Sequence, residues 1–144
     1  MPPVAGPQDV IHATCVAIKK RGLLIIGPSG SGKSSLGLAL MALGAKLVSD
    51  DRTALANKAG RLVAKCPPAI RGLIEAHGLG LIRAKTQVTA TIALVVDLGQ
   101  QESHRLPPFR RTSLCGIDCD LVLGQATPHF PSFLLAYMMG GRQA

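Results

Sequence analysis

Leu23-Leu24-Ile25-Ile26-Gly27-Pro28-Ser29-Gly30-Ser31-Gly32-Lys33-Ser34 joins a short apolar run to an octapeptide that satisfies the phosphate-binding pattern G-x-x-x-x-G-K-[ST] at every specified position. Glycines in such a loop let backbone N–H groups turn inward around an anion. The lysine supplies a mobile cation for the outer phosphates, and the hydroxyl can enter the coordination shell of Mg²⁺. A pattern with so few specified positions can arise by chance, so the flanks decide its weight. Leu23 to Ile26 reads as a buried strand. Ser34 to Leu43 reads as a helix, with leucines at 36, 40 and 43 and Gly44 as its stop. That helix would point its positive end at the phosphates. Gly27, Pro28, Ser29, Gly30, Ser31, Gly32, Lys33 and Ser34 are therefore expected to cradle nucleotide phosphate, with Mg²⁺ beside it.

Working outward, Val10 to Ile18 is a strand candidate that the turn Lys19 to Gly22 folds back on Leu23 to Ile26 as a hairpin. After the helix, Lys46-Leu47-Val48 is apolar enough for a buried strand that ends at Ser49-Asp50-Asp51. A right-handed crossover makes the strands on either side of the helix parallel and brings their ends to one edge of the sheet, with the Asp pair near the phosphates. Thr53 to Asn57 and Arg61 to Cys66 read as a second hairpin, closed by Pro67-Pro68. Ala69 to Ala76 is expected to be a short helix and Val88 to Leu98, the longest β-branched run, a central strand. Pro107 and Pro108 mark an exposed loop, Asp120 to Leu123 a further strand, and Pro131 to Met139 a last helix. One crossover among several hairpins predicts an α/β fold with a mixed β-sheet and flanking helices.

The composition bounds the function classes. A chain of 144 residues, 47% hydrophobic and 17% charged, has the size and apolar content of a single domain over residues 1–144, with positions 1–9 as a tail. Its apolar runs are too short to span a bilayer, and the start does not resemble a secretory signal, so no membrane partner is expected. Cys15, Cys66, Cys115 and Cys119 form no C-x-x-C pair, which favours a reduced, cytoplasmic setting over disulfides or zinc. The formal net charge of +8 admits nucleic acid. Against it, the aromatics Phe109, Phe130, Phe133 and Tyr137 all fall late in the chain and form no stacking platform, so no nucleic-acid partner is expected. Basic surface equally suits an acidic or phosphorylated protein.

Phosphoryl transfer to a hydroxyl needs a carboxylate near the metal and a group to receive the proton. Asp50 and Asp51 can supply both, and their order is not readable from spacing. Asp97, at the end of Ile92 to Val96, is the competing metal ligand. His12 lies on a strand, Glu75 in the expected short helix reads as a surface charge, and His77, His104 and His129 are too dispersed for a metal cage.

Together, Ile11-His12, Leu24 to Ser34, Gly44 to Asp51 (GAKLVSDD) and Ile70 to Ile82 (IRGLIEAHGLGLI), in this order, resemble the C-terminal catalytic domain of bacterial HPr kinase/phosphorylase. The similarity covers roughly Val10 to Leu98. It implies a fold related to phosphoenolpyruvate carboxykinase. It also implies ATP-dependent phosphorylation of a serine on the phosphocarrier protein HPr and, in reverse, phosphorolysis of phosphoseryl-HPr by inorganic phosphate with release of pyrophosphate. Carried over, His12 and Lys33 become active-site residues and Asp50 the acid/base residue, with Ser34, Asp51 and Glu75 near Mg²⁺. The family is typically a hexamer, and the chain resembles its short forms without the usual N-terminal domain. The family usually has Asp, Glu and Arg where this chain has Pro28, Ser35 and His77. The alternatives are a P-loop kinase for a small molecule and a non-catalytic nucleotide-sensing protein.

Overall fold

The structure, a computed structural model, describes residues 9–144, so most of the tail expected over positions 1–9 lies outside the described residues. Asp9 is already the first residue of strand β1 (Asp9–Ile18). β2 (Arg21–Ile26) pairs antiparallel with β1 through a tight turn in which Lys19 takes φ 57°. β2 ends in the glycine-rich loop, and α1 (Lys33–Ala42) follows. The helix stops where expected: the Leu43 and Gly44 N–H groups donate to the Leu40 and Met41 carbonyls, and Gly44 turns at φ 111°, a conformation glycine enters without steric cost. β3 (Lys46–Ser49) returns antiparallel to β1, as β2 does. β2 and β3 therefore run parallel with β1 between them, and both end at the same edge of the sheet.

β4 (Arg52–Lys58) also pairs antiparallel with β1, and β5 (Arg61–Lys65) folds back on it as the expected second hairpin. β3 and β4 lie end to end along β1, because the register passes from Ser49↔Cys15 to Arg52↔His12. Asp50 and Asp51 are the interruption between them, opposite Thr14 and Ala13.

The helix expected over Ala69 to Ala76 does not form. A single 3₁₀ turn spans Pro68–Ile70, Gly72 turns at φ 80°, and β6 (Leu73–Ala76) pairs with β7 (Gly80–Arg83) as a separate hairpin. The prolines and Gly72 stop helix propagation. From Leu73 onward burial alternates in the strand sense, with Ile74 and Ala76 inside and Glu75 outside.

β8 (Thr89–Gln101) is the central strand. It is antiparallel to β5 and parallel to both β2 and β10 (Ile117–Gly124), while β9 (Arg110–Leu114) closes a hairpin on β10. The eight-stranded sheet is thus mixed, and the path β2-β1-β4-β5-β8 returns to β2. Alternation along these strands divides the apolar side chains. Val16, Leu23, Ile25, Leu94 and Val96 pack under α1 and α2 (Phe130–Gly140) against Leu36, Leu40, Leu134 and Met138. Cys15, Leu24 and Val95 point the other way, among Val48, Leu55 and Leu62. Among the described residues no helix is long and apolar enough to cross a membrane.

Candidate functional site

The glycine-rich loop leaves β2 and enters α1 at the sheet edge where β3 ends. Gly30 at φ 81° and Gly32 at φ 96° have open space where a Cβ would sit, so the loop backbone is bare toward its ligand side. The Lys33 Nζ donates to the carbonyls of Gly27 at 2.9 Å and Pro28 at 3.1 Å, folding the ammonium back over the loop. A ligand phosphate would exchange with these carbonyls for the charge. Pro28 points away from this face: a Cβ on Gly99 would lie 3.1 Å from its Cδ, beside the end of β8.

A cavity of about 350 Å³ opens over the loop. Ser29, Gly30, Gly32, Lys33, Ser34 and Ser35 form one wall. Thr14 of β1 reaches it from below, and Asp51, Glu75 and His77 stand across from the loop. Three segments distant in sequence, the loop, the 50–51 corner and β6, therefore converge on one opening.

The two adjacent aspartates have different surroundings. Asp50 is only 6% exposed. Its Oδ1 accepts from Thr14 Oγ1 and Ser34 Oγ, each at 2.7 Å, and its Oδ2 accepts from the Glu75 N–H at 3.1 Å. Asp51 is exposed, lines the cavity and takes φ 66°, while its carbonyl accepts from the Ala13 N–H at 3.1 Å. The corner is stitched further by the Arg52 N–H donating to the Asp50 carbonyl at 2.7 Å, by Ser49 Oγ donating to the Arg52 carbonyl, and by Thr53 Oγ1 donating to the Ala13 carbonyl at 2.9 Å. Among the described residues the polar residues buried as a whole are Thr14, Ser49, Asp50 and Thr53, and all four belong to this corner. Burying them costs free energy unless every group is bonded, and the network bonds each one.

The other sequence candidates divide. Glu75 and His77 join the cavity from β6 and the turn after it, with Glu75 paired across the hairpin to Leu81. His12 is exposed and is not among the residues lining the cavity; alternation along β1 puts it on the Thr14 side of the strand, in register with Arg52. Asp97 ends near the loop, opposite Ile26, but its carboxylate accepts from the Gly99 N–H at 2.8 Å and from Gln100 Nε2 at 3.1 Å, and it does not line the cavity. Ser31 Oγ is buried with no partner. Thr14 was missed by sequence reading, since one threonine in an apolar strand carries no local signal.

No group of three or more His, Cys, Asp or Glu side chains forms a cage among the described residues. Magnesium does not need one beside a nucleotide, because it takes one or two protein oxygens and completes its shell with phosphate and water. Ser34, Asp51 and Glu75 offer only oxygen donors to the cavity, and that set fits Mg²⁺. The thiols lie elsewhere: all four are free, and complete burial pushes Cys15 far above the ordinary thiol range.

The sequence model of the HPr Serine kinase C-terminal domain matches residues 5–112. The chain is 36% identical to the HPr kinase/phosphorylase of Cupriavidus necator and 38% identical to that of Burkholderia lata, over 72% of its own length in each case. It spans about a third of those relatives, 36% of their length. A solved structure, the Hpr(Ser) kinase/phosphatase from Coxiella burnetii, superposes with a TM-score of 0.74 at 26% identity, covering 91% of this chain and 93% of that one. The phosphate loop, the paired aspartates and β6 all fall inside the matched residues, and the chain belongs to the HPr serine kinase C-terminal domain family.

Proposed function

We propose that this chain transfers the γ-phosphoryl group of ATP to a serine hydroxyl of the phosphocarrier protein HPr, and in reverse removes it with inorganic phosphate, releasing pyrophosphate. The observation that carries the reading is the convergence of Lys33, Ser34, Asp51 and Glu75 on one cavity, in a family whose named members include HPr kinase/phosphorylases. The loop from Gly27 to Ser34 binds the nucleotide phosphates through its N–H groups, and Lys33 leaves its two carbonyls to neutralise the outer phosphates. Ser34 and Glu75 would hold Mg²⁺, which when bound offsets the charge of the transferring group.

Between the aspartates, the surroundings favour exchanging the roles that the resemblance implies. Both oxygens of Asp50 already accept hydrogen bonds in a buried setting, so Asp50 holds Ser34 and β6 in place. Asp51 faces the cavity and is free to accept the serine proton in the forward direction and return it in the reverse. A protein acceptor suits the rim, where Leu79 and Leu81 on the β6–β7 hairpin are 82% and 70% exposed beside Glu75. The expected setting is cytoplasmic and the expected assembly a homo-hexamer.

Mass spectrometry of HPr after incubation with MgATP, and again after adding phosphate, tests both directions at one serine. Appearance and then loss of a single phosphoryl group is expected. HPr left unmodified while the chain turns over ATP on a small hydroxyl compound would overturn the choice of substrate. Asp51→Asn should lower turnover by roughly 10²- to 10⁴-fold with nucleotide affinity nearly unchanged; wild-type turnover in that variant would return the proton transfer to Asp50.

A further inference from the structure

We propose that Thr14 is a positioning residue of this site: its hydroxyl fixes the Asp50 carboxylate, and through it directs the Ser34 hydroxyl at the metal. The inference rests on the phosphoryl-transfer reading above and deepens it.

The buried stretch of β1 from Ala13 to Ala17 is apolar except at Thr14. Valine has the same shape and would suit such a strand better, because a buried hydroxyl needs a partner. The partner is Asp50, which the register sets opposite Thr14 and which accepts at 2.7 Å. Ser34 Oγ donates to the same oxygen at the same distance. A serine hydroxyl has one proton and two lone pairs. With its proton committed to Asp50, Ser34 can present only lone pairs to the cavity, the orientation a cation requires.

Three points hold the carboxylate: Thr14 and Ser34 on Oδ1 and the Glu75 N–H on Oδ2. Ser34 belongs to the binding loop and must serve the ligand as well, so Thr14 is the side-chain donor with no competing task. Its other branch is fixed too. A Cβ on Gly37 would lie 2.9 Å from the Thr14 methyl, so α1, the helix that carries Ser34, rests directly on Thr14. One side chain thus sets the acceptor by its hydroxyl and the seat of the donor's helix by its methyl.

The test separates the two branches. Thr14→Val keeps the shape and removes the hydroxyl, whereas Thr14→Ser keeps the hydroxyl and removes the methyl. Mn²⁺ is the probe, titrated by electron paramagnetic resonance in the presence of a non-hydrolysable ATP analogue, with metal-free analogue binding measured alongside. Thr14→Val should weaken Mn²⁺ binding by about tenfold or more, as loss of a group behind a metal ligand does, and raise the Mg²⁺ needed for half-maximal turnover. Its metal-free analogue binding should stay near wild type. Thr14→Ser should keep Mn²⁺ affinity within about twofold even where it unfolds more easily. If T14V is too unstable to assay, T14A carries the same comparison. Wild-type Mn²⁺ affinity in T14V, or equal losses in T14V and T14S, would overturn the proposal. A wild-type chain that binds Mn²⁺ with the analogue but leaves HPr unphosphorylated would refute the substrate reading alone and leave Thr14's role supported by the binding data. A wild-type chain that binds no Mn²⁺ with the analogue would overturn both.

Discussion

Asp50 and Glu102 both carry little-exposed carboxylates that accept several hydrogen bonds, yet their donors are of opposite kinds. Glu102, its side chain 5% exposed, takes Arg110 Nε and a second guanidinium nitrogen at 3.0 Å each, and His104 Nδ1 lies 3.2 Å away. Its charge is spent on a cation, in a cluster that ties the end of β8 to β9. Asp50 is satisfied by two hydroxyls and a backbone N–H. These donors are neutral, and two of them, Thr14 and Ser34, line the cavity, so the hydrogen bonds order the site without pairing the carboxylate with a cation. The same functional group ties two strands together in one place and orders a candidate binding loop in the other, and the type of donor makes the difference.

The sharpest way to break this comparison is to remove each carboxylate in turn. Asp50→Ala strands the hydroxyls of Thr14 and Ser34 and the Glu75 N–H at once. It should cost roughly 3–5 kcal/mol in urea unfolding and abolish turnover. Gly37→Ala disturbs the same site with no polar change: its methyl would meet Thr14, lifting α1 from β1 at about 1–3 kcal/mol, and metal-dependent nucleotide binding should weaken in parallel.

Glu102→Gln should leave turnover within about twofold of wild type, and its signature is in acid. The hydrogen bonds from Arg110 come first among the causes that hold the Glu102 carboxyl down to about 2, against 4.5 unperturbed. A depressed carboxyl contributes stability that is complete above its unfolded pKa and is lost as pH falls through its folded one. The difference between wild type and E102Q in unfolding experiments should therefore be constant above about pH 4.5, shrink below it and vanish near pH 2. A difference that grows on acidification would contradict the pairing. The smallest effect belongs to Arg111 and Asp120, 3.9 Å apart with side chains 61% and 50% exposed, where Asp120→Asn should change stability by under about 0.5 kcal/mol.

What could be read in the sequence was what is local. The loop, its strand and its helix are contiguous, and each residue type there has its own stereochemical reason, so Leu23 to Gly44 was legible almost to the residue. The segment Ala69 to Ala76 reads as a helix because its leucine, glutamate and alanines favour one; the alternation of Ile74, Glu75 and Ala76 becomes decisive only once a partner strand at Gly80–Arg83 exists. β9 was missed for a similar reason, since Arg110-Arg111-Thr112-Ser113 has little apolar character and becomes a strand through its pairing with β10. The aspartates are the most instructive case. Their nearness to the phosphates followed from the crossover, but which of them is buried depends on the register of β3 and β4 along β1, a relation between residues some 36 positions apart. Thr14 is hidden by the same non-locality.

Asp51 keeps a side chain at φ 66°, a backbone conformation that glycine adopts freely and that costs other residues on the order of 1 kcal/mol or more. A glycine there should fold at least as stably as the wild type, and it would be silent in phosphoryl transfer. Asp51→Gly and Asp51→Asn should therefore part company in unfolding experiments, the glycine gaining stability that the asparagine does not, while both lose the carboxylate from the cavity.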